Sequence, residues 1–143
     1  MVNNKTYKVL YLTYDGILDA LGASQIMPYI YGIAKQEKVI HIVSFEKPEK
    51  YIANSLKFKR SIKNLNIFWT PLRFTSELSI LGKVIDLLVM LVFSLWIVWR
   101  KKIDVIHARG HISAEIGLIL KVIFHTKLIF DFRGLWVDER VDK

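Results

Sequence analysis

The sequence predicts an α/β fold built on a parallel sheet flanked by helices, and three observations lead there. Apolar runs of strand length recur five times along the 143 residues, at 7–13, 39–45, 67–72, 105–108 and 127–132. Stretches with helical character separate each run from the next, the alternation that a parallel sheet requires because every crossover must carry the chain back to the same edge. Abrupt polar loops then follow the first, fourth and fifth runs, at the carboxyl ends where an open parallel sheet forms its ligand crevice.

Each element has its own justification. Residues 7–13 open the sheet with an apolar run broken by a lysine. The first helix is expected to begin near Ser24, an N-cap residue type, with Pro28 near its first turn and Ile26, Ile30, Ile33 and Ala34 on one face. After the second strand, residues 49–65 read as a more polar helix that turns Ile52, Leu56, Ile62 and Leu65 inward. Residues 113–124 form a last helix with Ile116, Leu120 and Phe124 in phase. No repeat, linker or low-complexity segment interrupts the series.

Residues 80–99 stand apart, because from Leu87 to Trp99 the only polar residue is Ser94. Such a helix has no face for water. Thirteen residues of helix span about 20 Å, short of a hydrocarbon core of about 30 Å, and extension backward brings in Lys83 and Asp86. Four coverings stay open: a full membrane span, burial inside the domain, burial beneath a neighbour, or partial insertion at a membrane interface with Trp96 and Trp99 at headgroup level. Arg100, Lys101 and Lys102 would then meet anionic lipid.

Composition narrows the class further. With 52% hydrophobic residues, mean hydropathy +0.30 and 24% charged residues, the chain has the makings of a core and is not disordered. The absence of cysteine excludes disulfides, thiolate zinc sites and cysteine nucleophiles, and permits a cytoplasmic home. The first residues, MVNNKTYK, lack a signal-peptide core, so secretion is not expected. A formal charge of +8 is concentrated ahead of the last loop, with Lys57, Lys59, Arg60 and Lys63 forming one basic stretch. Such stretches suit anionic lipid or a sugar-nucleotide phosphate as well as a solvated helix face. Nucleic acid is not expected as a partner, since no aromatic residues interleave with the bases.

Three loops hold the candidate chemistry. After the first strand come Asp15, Gly16 and Asp19, then Gly22 ahead of the expected helix, where backbone amides can approach a phosphate without a side chain in the way. A simple turn glycine is the plainer reading of that pattern. After the fourth strand His107, Arg109, Gly110 and His111 fall together. His107 reads equally well as a core histidine, whereas Arg109 and His111 suit an anion or a sugar hydroxyl. No metal site is expected, because His41 and His125 sit on other elements. The tract FDFRGLWVDERVD from Phe130 to Asp142 then holds four of the thirteen acidic residues, with Arg133, Trp136, Asp138, Glu139 and Arg140 close together. Carboxylates accept from sugar hydroxyls and arginine forks match phosphate. Asp138 and Glu139 also fit a helix start, near its positive end.

These segments in this order, from Asp15 to Pro28, Ile106 to Arg109 and Phe130 to Asp142, resemble the amino-terminal domain of a family 4 glycosyltransferase of the GT-B fold. The resemblance implies a Rossmann-like domain covering residues 1–143, with the sheet and the domain incomplete and a carboxyl-terminal donor-binding domain missing, so that the chain is expected to be inactive alone. It implies retaining transfer of a sugar from a nucleoside diphosphate sugar to a glycan or lipid-linked acceptor, with no cofactor and no obligatory metal. Gly16 and Gly22 would approach the donor phosphates. Asp15, Arg109, His111, Asp138, Glu139 and Arg140 would bind the acceptor or the transferred sugar. Family members carry a histidine just past the fifth strand that contacts that sugar; the matching position here is Arg133, the candidate catalytic residue. Composition, through the basic surface and the apolar helix, suits a lipid-linked acceptor and a cytoplasmic location, peripheral at the inner face of the cytoplasmic membrane. The competing expectation is a stand-alone nucleotide-binding or membrane-surface module without catalysis.

Overall fold

The structure, a computed structural model, describes residues 6–36, 38–75 and 79–132. Five parallel strands, β1 (Lys8–Thr13), β2 (Val39–Glu46), β3 (Ile67–Arg73), β4 (Val105–Arg109) and β5 (Lys127–Asp131), form one sheet in the order β3-β2-β1-β4-β5. Its centre is apolar on both faces, as expected of strands covered by crossover helices. Leu10 and Leu12 point to one side and Tyr11 to the other, and all three are buried.

Among the described residues, four helices cover the sheet. A π-helical turn, Gly22–Ile26, runs directly into α1 (Met27–Ala34), and α2 is Pro48–Ile62. These pack on one face, where Tyr11, Ile40, Ile42 and Ile67 meet Ile26, Ile30, Phe58 and Ile62. On the other face α3 (Ile80–Lys101) and α4 (His111–Phe124) close over Leu10, Leu12, Val43, Phe45 and Ile106. Right-handed crossovers require this division once β2 and β3 lie to one side of β1 and β4 and β5 to the other.

The strands fall within a residue of the expected ones, and three helices need correction. Leu21 already has helical backbone, with φ −66° and ψ −43°, so Ser24 lies inside the first helical segment rather than at its start. On α2, Ile62 is buried as expected, but Ile52 is 80% and Leu56 68% exposed, and Leu65 lies beyond the helix and is also exposed. The inward face belongs instead to Ser55, Phe58 and Ile62, because Phe58 meets Trp69 of β3 edge-on at 4.8 Å between centroids and turns the helix toward that contact. On α3 the domain covers one side only: Gly82, Asp86, Met90, Ser94, Ile97 and Val98 are buried, while Val92, Trp96 and Trp99 face outward.

Candidate functional site

In the order β3-β2-β1-β4-β5 the crossovers reverse direction between β1 and β4, so a crevice opens at the carboxyl ends of those two strands. The segment leaving β1 forms a wall at that end of the sheet. Asp15 N–H donates to Thr13 Oγ1 at 3.1 Å, which turns the chain sharply outward as the strand ends. Beyond that turn, two buried carboxylates from distant elements hold the wall in place. Glu46, at the end of β2, accepts from the amides of Ile17 at 3.0 Å and Leu18 at 3.3 Å and from Ser44 Oγ at 2.7 Å. Burial pushes its carboxyl up from the ordinary range, and those three hydrogen bonds oppose the shift. Asp86 of α3, fully buried, accepts from Tyr14 Oη at 3.2 Å and from the Thr75 amide at 2.9 Å.

Between these anchors lies an open cleft of about 250 Å³. Tyr14, Leu21 and Phe74 give it apolar walls, Asp15, Asp19 and Lys83 bring charge, and Gly16 contributes backbone. Tyr14 and Phe74 meet edge-on at 5.3 Å between centroids. Ring faces beside carboxylates and an ammonium suit a polyhydroxylated ligand, whose C–H surfaces pack on aromatics while its hydroxyls donate to carboxylates.

Gly22 is what lets this wall fold back on itself. A Cβ there would stand 2.3 Å from Gly16 O and 2.5 Å from Ile17 Cα, so the close approach that this glycine permits is of the chain's own backbone. At Gly16 a Cβ would come within 3.0 Å of Phe45 O and 3.1 Å of Glu46 Oε2.

A buried polar cluster beneath α1, at the ends of β4 and β5, stands apart from this cleft. Arg109 donates from Nη1 to Asp131 Oδ2 at 2.8 Å and from Nη2 to Gln25 Oε1 at 2.9 Å. It thereby ties β4 to β5 and to the π-helical turn. His107 is buried against Tyr11 and Tyr29, with centroid distances of 4.8 and 5.2 Å, and its Nε2 lies 4.0 Å from Asp131 Oδ2. Burial pushes this imidazole below its usual pKa, against the pull of Asp131, and pushes the Tyr11 phenol up to about 12. His111, exposed at the start of α4, meets Phe130 and Phe132 edge-on.

The expected site residues therefore divide. Asp15 and Gly16 line the cleft, Gly22 packs beneath its rim, Arg109 is held in the inner cluster and His111 stands beside β5. Arg133, Asp138, Glu139 and Arg140 lie outside the described residues. Among the described residues no three His, Asp or Glu side chains converge as metal ligands would. Sequence reasoning passed over Glu46, Asp86 and Gln25. Asp86 offered one signal, as the single acid in a 22-residue apolar helix.

No protein-family model matches the sequence, and no curated protein resembles it in sequence. Solved structures do share the fold. One is the C-terminal domain of a hydrogenase from Pyrococcus furiosus, with TM-score 0.61 and 9% identity over 92% of this chain and 97% of that one. Another is a glycosyltransferase from Rickettsia africae, with TM-score 0.60 and 11% identity over 92% of this chain. The fold is Rossmann-like. This chain spans 31% of the length of that glycosyltransferase. Identities this low show a shared architecture and leave the chemistry to the residues of the crevice.

Proposed function

We propose that the chain is the acceptor-side half of a family 4 glycosyltransferase. In this reading it holds a glycan or lipid-linked acceptor while a nucleoside diphosphate sugar is presented from a second domain. The observation that carries this reading is the cleft at the carboxyl end of β1, on its β3 and α3 side, which Tyr14 and Phe74 line together with Asp15, Asp19 and Lys83. The fold shared with a glycosyltransferase supports it.

In the proposed reaction an acceptor hydroxyl bonds to the anomeric carbon on the face from which the diphosphate departs. The carbon–oxygen bond to the diphosphate breaks with its electron pair, and the hydroxyl proton leaves with that group. Such a step is driven mainly by positioning and by stabilisation of the departing charge. Asp15 and Asp19 orient acceptor hydroxyls. Arg109 acts as a positioning residue, through Asp131 and Gln25, rather than on the sugar. Arg133 is proposed to contact the transferred sugar, and Asp138, Glu139 and Arg140 to bind the acceptor.

Calorimetric titration of the full chain with a panel of mono- and oligosaccharides and with nucleoside diphosphates separates this from a stand-alone nucleotide module. Sugar binding that falls at least tenfold in Asp15→Asn/Asp19→Asn supports the acceptor reading. Tight, stoichiometric nucleotide binding indifferent to those substitutions would overturn it.

A further inference from the structure

Helix α3 is amphipathic in an unusual sense. Its inward face includes Asp86 and Ser94, and its outward face is apolar. Leu81, Ile85, Leu88, Val92, Trp96 and Trp99, spaced three or four apart, are all exposed and form one stripe. Eighteen residues of rise make that stripe about 27 Å long. Beside it α4 exposes Leu118, Ile119, Val122 and Ile123 on the same side of the sheet. Contiguous apolar surface on this scale marks an interaction site.

Charge selects the partner. The stripe ends at two tryptophans followed at once by Arg100, Lys101 and Lys102, and Lys121 and Lys127 lie on α4 and β5 toward the same end of the sheet. No acidic residue of α3 faces outward, since Asp86 is fully buried; on α4 Glu115 is exposed, toward the opposite end. A second copy packed head to tail would bring from α3 and α4 a single acid, Glu115, against the three cations that close α3. Apolar residues, interfacial tryptophans and a cationic end together match an anionic bilayer.

The helix has the length and apolarity to cross a membrane, yet 28% of its most apolar window is buried in the fold. Its inner face is bonded to the domain through Asp86, Tyr14 and Thr75, so crossing would strip those bonds. We infer that the outer faces of α3 and α4 dock the folded domain on an anionic membrane surface, with α3 lying along the interface and Arg100, Lys101 and Lys102 at the phosphates. This inference rests on the surface alone and stands apart from the sugar reading of the cleft.

The test is flotation of the full chain with vesicles of phosphatidylcholine alone or mixed with phosphatidylglycerol. The expected result is binding that requires phosphatidylglycerol and weakens with salt. Each cation near such a surface contributes roughly fivefold to partitioning. Arg100→Gln/Lys101→Gln/Lys102→Asn should therefore lower it by two orders of magnitude, and Lys102→Asn suits the left-handed backbone there, with φ 53°. Leu88→Gln/Val92→Gln, at exposed positions, should lower it at least tenfold without loss of helical circular dichroism. Equal binding to both vesicle types, or binding unchanged in both variants, overturns the inference. So does a stable dimer whose formation abolishes flotation, or a chain that resists carbonate extraction as a spanning helix would.

Discussion

Removing the carboxylate of Asp86 should loosen the cleft from below. In Asp86→Ala two donors lose their acceptor: Tyr14 Oη, now at 3.2 Å, and the Thr75 amide, now at 2.9 Å. Hydrogen bonds to a charged acceptor contribute about 1.5–3 kcal/mol each. Tyr14 is only half-buried and Thr75 is exposed, so both donors regain some water, and relief of a buried charge offsets part of the loss. The net expectation is destabilisation of about 2 kcal/mol, a fall in Tm of roughly 4–8 °C for a domain of this size. Urea denaturation of the wild type, Asp86→Ala, Tyr14→Phe and the double variant gives the coupling directly, and about 1 kcal/mol should belong to the Tyr14–Asp86 pair. The Thr75 amide should also exchange faster in Asp86→Ala. A stability within 0.5 kcal/mol of wild type, with no coupling, would refute the reasoning that Asp86 anchors this wall.

Other substitutions test neighbouring parts. Gly22→Ala places a methyl group against the backbone of Gly16 and Ile17, which cannot swing aside as a side chain could; a loss of about 3 kcal/mol is expected by denaturation. His41 is buried on β2 and pushed down to about 4 from the usual 6.5, chiefly by burial, so folding favours its neutral form. The stability it contributes is complete above pH 6.5 and falls by up to about 1.4 kcal/mol per pH unit toward 4. His41→Gln should flatten that part of the pH–stability curve, and an unchanged slope would count against the assignment. Arg109→Lys keeps the charge but cannot reach Asp131 and Gln25 together. It should cost about 1–2 kcal/mol, and the added effect of Gln25→Ala should be smaller in that background than in wild type.

The sheet was legible because β1, β2 and β4 are short apolar runs covered from both sides, and such runs read the same in any context. Helix faces were harder. On α2 the aliphatic residues Ile52 and Leu56 form a plausible inward pair, and only the position of Trp69 across the sheet decides for Phe58 instead. On α3 the apolar residues run all round, so the sequence could not say which side meets the sheet; the buried acid and serine mark that side. The loops at the strand ends announced themselves by composition. Their anchors did not, because Glu46 acts on residues 28 and 29 positions away and Asp86 on one 72 positions away. Contacts of that range leave no local pattern.

The central claim, that the cleft leaving β1 receives a sugar unit, is tested most directly by mapping backbone amide shifts while the acceptor-sized saccharide that binds best is titrated into the full chain. Shifts are expected to concentrate on residues 14–21 with Phe74 and Lys83, and to fade in Asp15→Asn/Asp19→Asn. Shifts gathered elsewhere, as at the apolar groove of Tyr51, Ile52 and Arg73, or a response to nucleotide alone, would contradict it.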